Sequence, residues 1–447
     1  MRRLRRILLA AVAAPLVVTV VGLPGRPVAH VSSGRSALAR VTIFPMVRLG
    51  NKPYPTPALA GGYTPRQIRA AYDLGPLLRR GINGRGQTIV IVDSFGSPTI
   101  RHDLGVFDRR FRLAAPPSLR IIHPAGPIPK FNPGGRFMPG WAFETTLDVE
   151  WAHVMAPRAR ILLVETPVSE NEGTSGFPQI VASEKYVIRH RLGGVISQSF
   201  GATEETFPKG TLRPLRGAYR LAASTRHGPT VLGASGDNGA TDLLSNQSCC
   251  YPFRVTSWPA SDPLVTAVGG TDLSLDSSGH RTVADQVWND GAAGAGGGGL
   301  SVDFSRPAYQ NGVAAIVGRH RGIPDVSLSA SDVDPVDIYA SFPGAGGWQP
   351  AAGTSEATPL FAGIIALADQ KAGHPLGPIN RYLYSMAKAH DRGIVDIIHG
   401  NNTVQFFRHG HTITVHGWSA VRGYDLASGL GTIDAARFVP ELASLAG

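Results

Sequence analysis

Five short apolar runs, at residues 87–93, 160–164, 194–199, 230–234 and 264–268, recur along the chain and end in polar turn residues. Runs this short and this continuous suit strands of a parallel sheet buried on both faces. Between several of them the pattern changes to a helical period, at 141–155, 176–190 and 212–226. A further apolar helix is expected from Ser355 to about Leu367. Strands alternating with helices give an α/β fold, a parallel sheet flanked by helices on both faces. Such sheets carry their working residues just beyond the carboxyl ends of the strands. The regular pattern begins near Tyr63. Residues 24–60 are rich in Pro, Gly and small side chains without a clear period, and 31–60 reads as a short pro-segment or linker.

The 447 residues are 43% hydrophobic, enough for a large core in one α/β domain or in roughly two or three domains. At the front, Arg2, Arg3, Arg5 and Arg6 precede an apolar run from Ile7 to Leu23, and small residues follow at 27–29. This pattern predicts a secretory signal over residues 1–30, with an exported product and no lasting membrane association. Pro15 and the length of the run weigh against a retained anchor. The net charge of +11 is partly this leader. Five of the 43 basic residues lie in the first 30 positions with no acid, which leaves 38 against 32 acidic ones. The remaining charges are scattered with no aromatic-interleaved basic patch, so a nucleic-acid partner is not expected. Cys249 and Cys250 are adjacent, which excludes CxxC metal and redox motifs and leaves a mutual disulfide or two buried thiols.

Three segments carry candidate chemistry. In Gly353-Thr354-Ser355-Glu356-Ala357-Thr358-Pro359 a serine follows a Gly-Thr turn and opens an apolar helix. The helix dipole and free N–H groups there favour developing negative charge, which suits a nucleophile attacking a carbonyl, although serines before helices are commonly caps. Glu356 reads as a first-turn acid suited to that dipole. Glu144 and Asp148 lie four apart on a helix whose apolar stripe is Phe143, Leu147, Trp151 and Val154. At the edge of a buried surface two such carboxylates repel, and one holds its proton to higher pH. Taken alone, the pair equally describes a solvated acidic face. Ser235-Gly236-Asp237 closes a strand and places Asp237 in a tight turn.

In this order the three segments resemble the sedolisins, the serine-carboxyl peptidases. The likeness extends to residues 258–263, 268–271, 298–301 and 306–307, and to 423–431 near the end, so it covers about Gly62 to the C-terminus. It implies a subtilisin-like fold over 61–447 and hydrolysis of peptide bonds in a peptide or protein substrate. Ser355 would be the nucleophile, Glu144 its base, Asp148 the residue orienting Glu144, and Asp237 the oxyanion donor. A carboxylate would repel that oxygen, so Asp237 would act protonated and the enzyme would work in acid. The resemblance also implies one structural calcium ion within residues 395–431. Asp396 and Asp425 would give carboxylates, and Ile397 and Gly423 backbone carbonyls. Val421 stands where the family tends to have a further glycine carbonyl.

Sedolisins usually carry a sizeable folded prodomain, whereas residues 31–60 are too few to bury a core. One rival is an Asp-His-Ser protease using Asp93, but the intervening histidines (102, 123, 153, 190, 227, 280 and 320) lack a glycine-rich setting. Another is a non-catalytic exported binding protein with the same fold. The stretch from His409 to His416 reads as a polar hairpin insert; as a metal site it would set His409 and His411 on one strand face, with no acidic or cysteine partner.

Overall fold

Eight strands build the central sheet: β1 (Thr88–Ser94), β2 (Leu119–Ile122), β3 (Arg160–Thr166), β4 (Val195–Gln198), β5 (Thr230–Ala234), β6 (Thr266–Asp272), β7 (Gln286–Val287) and β8 (Val326–Ser329). The computed structural model describes residues 44–45, 48–49, 61–169, 176–245, 249–291 and 294–447, all within the compact unit Leu38–Gly447. The expected signal at 1–30 lies outside the described residues. The strand order is β7-β6-β5-β4-β1-β3-β2, with β8 also paired to β6. Every pairing is parallel except that of β7.

The continuous apolar run of β1 serves both faces of this sheet. Ile89 and Ile91 join one core cluster and Val90 and Val92 the other, as the period of a strand requires. The first face is covered by helices α2 (Met138–Met155) and α4 (Thr354–Ala372); α5 (Ala435–Ala446) packs on α4, and α1 (Ile100–Phe111) on α2. The second face is covered mainly by α3 (Gly176–Arg189). Each buried Leu, Ile or Phe contributes about 1.5–3 kcal/mol, so this two-sided core fixes the strand ends firmly. Because β1 lies between β3 and β4, the chain reverses its direction of travel there, and the crevice beyond its carboxyl end is where such sheets place a site.

Several expectations are corrected. The helix expected over 212–226 is two pieces, Leu212–Leu215 and Gly217–Ser224. They meet at Arg216, whose guanidinium is held by Asp262 at 2.5 and 2.9 Å. The strand expected at 264–268 begins at Thr266, since Leu264 and Val265 still bond to Asp262 in the preceding turn. Part of the expected linker is ordered. Phe44 and Pro45 pair antiparallel with Gly201 and Phe200, and Arg48 and Leu49 with Ala352 and Ala351.

Helix α2 departs furthest from its expected amphipathic form. From Glu144 to Met155 every residue is buried, and Phe143 is only half-buried. The carboxylates therefore lie inside the protein. Between α2 and α4 the helices touch backbone to backbone: a Cβ on Gly363 would meet Met155 Cβ at 2.3 Å.

Cys249 and Cys250 are joined to each other by a disulfide. The histidine-rich piece is the expected hairpin, Val404–Arg408 with His411–Val415. His409 takes part in its turn with a positive φ of 51°, so the pair with His411 on one strand face is not formed.

Candidate active site

The crevice is assembled from the carboxyl ends of β1, β4 and β5, the first turns of α4 and the middle of α2. Gly353, with φ of 105°, turns the chain sharply from the strand Gly347–Ala352 into α4, a conformation that a residue with a Cβ would resist. Ser355 follows in the first turn of that helix and is fully buried, and its Oγ has no hydrogen-bond partner among the described residues. Pro359 is the sixth helical residue, beyond the first turn. Lacking an N–H, it leaves the carbonyl of Ser355 without its helical donor. Ser199 Oγ lies 3.5 Å from that carbonyl oxygen.

Ser199 stands one residue past β4 and also donates to Asp148 Oδ1 at 2.8 Å. It thus links helix α2 to the backbone of Ser355. Asp148 is fully buried, and burial pushes its carboxyl well above the usual range. The charges of Asp93 and Glu144 push it further up, while the Ser199 hydroxyl opposes them. Glu144 lies one turn earlier on the same face and is equally buried. Asp93 ends β1 and accepts from Thr145 Oγ1 at 2.9 Å. Burial pushes Asp93 up to about 7, with Thr145 working against it and Glu165 with it. Neither Asp93 nor Asp148 is paired with a guanidinium or ammonium among the described ion pairs.

On the other side, Thr354 fastens Asp237 to the start of α4. Its N–H donates to Asp237 Oδ1 at 2.9 Å and its Oγ1 lies 2.7 Å from the same oxygen. The Ser-Gly-Asp turn is braced from behind by the glycine stretch. Gly297 N donates to Gly236 O at 2.8 Å and Ser235 Oγ to Gly297 O at 2.7 Å. The structure thus links Ser355, Asp148 and Asp237 through Ser199 and Thr354, with Glu144 beside Asp148. Sequence reasoning missed Ser199. Its signal was a hydroxyl directly beyond a buried strand.

Glu356 lies in the first turn of α4 as expected. It is fully buried, and burial holds its carboxyl well above the usual range, reinforced by Asp332 and opposed by the Ser329 hydroxyl. Among the described residues, the rival Asp-His-Ser arrangement has no imidazole paired with Asp93. His102 faces Asp103, His123 faces Glu165 and His153 faces Asp108.

At the C-terminal end, Asp396 Oδ2 accepts from Gly423 N at 2.9 Å and Asp425 Oδ2 from Val421 N at 3.0 Å. Two carboxylates therefore close on one short loop. No group of three or more His, Cys, Asp or Glu that could hold a metal occurs among the described residues. An oxygen-only set of two acids and loop carbonyls fits a hard divalent cation and no soft one.

A profile of the subtilase family matches residues 137–388. Kumamolisin of Bacillus sp. (strain MN-32) is 30% identical over 427 residues, 94% of this chain and 69% of its own length. The chain belongs to the sedolisin family. Sedolisin of Pseudomonas sp. (strain 101) is 28% identical over 88% of this chain and 64% of its own length. Tripeptidyl-peptidase 1 of Dictyostelium discoideum is 28% identical over 78% and 53%. A solved structure of Pseudomonas sedolisin, a serine-carboxyl proteinase complexed with two molecules of pseudo-iodotyrostatin, superposes with a TM-score of 0.70. It is 26% identical and covers 87% of this chain and 100% of its own. The α/β architecture is thus subtilisin-like, and this sedolisin-family chain is a serine peptidase. No helix among the described residues is long and apolar enough to cross a membrane.

Proposed function

We propose that the chain is an exported peptidase working in acid, in which Glu144, Asp148, Asp237 and Ser355 act together. Ser355 Oγ attacks the scissile carbonyl while Glu144 takes its proton and returns it to the leaving amine. Asp148 orients Glu144 and is itself held by Ser199. Asp237, protonated, donates to the tetrahedral oxygen, where a carboxylate would repel it. The observation that carries this reading is the bridge through Ser199, which fixes a buried acid of α2 against the backbone of the candidate nucleophile. Acid suits it because burial favours the neutral forms of Asp93 and Asp148, and two like charges in one dry crevice cannot both persist. Calcium would be held by Asp396 and Asp425 with the carbonyls of Ile397, Val421 and Gly423, neutralising two acids and stiffening the loop.

The short segment before residue 60 serves as the pro-segment in this reading. Its backbone pairs with residues 200–201 and 351–352, on the two strands that lead from Ser199 and to Gly353, as an extended peptide would pair with a sheet edge. The test uses the whole chain on casein at pH 4, beside Ser355→Ala and Glu144→Gln. Wild type is expected to degrade casein and to lose its N-terminal segment, and both variants to do neither. Equal turnover in all three removes the mechanism, and no turnover in any favours a binding protein.

A further inference from the structure

Away from the crevice, a cavity of about 530 Å³ opens between the junction of helices 212–215 and 217–224 and the end of the strand Gly299–Ser305. Four arginines line it: Arg213, Arg216, Arg220 and Arg306. Their charges are not equally spent. Arg216 is fixed by the fully buried Asp262, and its guanidinium lies 4.7 Å from the centre of the Phe304 ring. That stack makes a rigid floor. Among the described residues Arg306 is held by neutral acceptors, Asn311 Oδ1 at 3.1 Å and the carbonyl of Gly318. Arg213 and Arg220 enter none of the ion pairs among the described residues. Among the described residues, the one carboxylate on the wall is Asp303. Three uncompensated cations thus face a single acid across a concave surface, which concentrates positive potential.

We propose that this cavity is a binding site for an oxyanion of the sulfate or phosphate class, gripped by Arg213, Arg220 and Arg306. Guanidinium forks match such tetrahedral anions two bonds at a time, and the fixed floor lets the site be largely pre-formed. Burial raises the Asp303 carboxyl, so in acid the wall loses its opposing charge.

The test titrates sodium sulfate into the full chain at pH 4, against sodium chloride of equal ionic strength. Sulfate is expected to raise Tm beyond chloride, and the double variant R213A/R220A to weaken sulfate binding at least about tenfold. Both arginines are exposed, so the unliganded variant should melt with wild type and keep its peptidase rate. Repeated at pH 8, where the wall carries its opposing charge, Asp303→Asn is expected to tighten binding. Equal effects of sulfate and chloride, wild-type affinity in the double variant, or unchanged or weaker binding in Asp303→Asn would each overturn the assignment. Inorganic phosphate and phenyl phosphate identify the source. A tighter ester points to phosphorylated or sulfated molecules, and a tighter free ion to the inorganic anion.

Discussion

Asp325 and Asp148 are both fully buried, yet the chain treats them in opposite ways. Asp325 receives two guanidinium bonds from Arg321 at 2.5 and 2.7 Å, one from Tyr384 Oη at 3.0 Å and one from Ala267 N at 2.8 Å. Asp148 receives one serine hydroxyl and sits among like charges. A structural carboxylate is supplied with a cation and with donors for both its oxygens. One intended for proton chemistry is left short of donors, so that its protonation state can change at modest cost. Asp425 is a third case, fed by the N–H groups of Val421, Ala427 and Ser428 rather than by a side-chain cation.

Substitution should separate these cases. Asp148→Asn is expected to lower kcat by about 10³–10⁴-fold, as for the orienting acid of other triads, with Tm in acid nearly unchanged. Arg321→Met should cost about 3–5 kcal/mol of stability by stranding Asp325, read by denaturant unfolding. If the first variant unfolds and the second does not, the comparison fails. Chelation of calcium, or Asp396→Asn, should lower Tm in proportion to site occupancy, about 2.7 kcal/mol if the ion stands at a hundred times its Kd. A Tm indifferent to chelator would remove the ion.

The smallest effect expected is on the pH dependence of stability. An unfolded aspartate titrates near 3.9 and Asp93 folded at about 7. The folded state therefore binds the proton more tightly. Its contribution is complete below pH about 4, shrinks as pH rises, and is gone above about 7. Asp93→Asn should flatten the fall in Tm between pH 4 and 7, and a parallel fall in both proteins would contradict the shift.

Much of this was legible in the chain because apolar runs and turn residues obey local rules. The runs 87–93, 160–164 and 230–234 became β1, β3 and β5 with shifts of two residues or fewer. Helix α2 was misjudged because polarity implied exposure. Glu144, Thr145, Thr146, Asp148, Glu150 and His153 are polar and all buried, since α4, the sheet and α1 enclose them. The burial of Glu356 was likewise invisible, although its first-turn position was read correctly. Ser199 and Thr354 went unassigned because their roles depend on partners 51 and 117 residues away, a distance that no local spacing encodes. The pairing of residues 44–45 and 48–49 was hidden too, because two-residue strands are too short to show a period.

A serine hydroxyl has one hydrogen to give, and at position 199 two oxygens compete for it. While Asp148 is ionised, the hydrogen belongs to the carboxylate. Once that acid gains its own proton its pull on the hydrogen weakens but does not vanish, and the hydroxyl leans further toward the carbonyl that Pro359 left unserved. A titration in α2 is thereby reported to the main chain of residue 355 by a torsion of one O–H bond, with no heavy atom displaced.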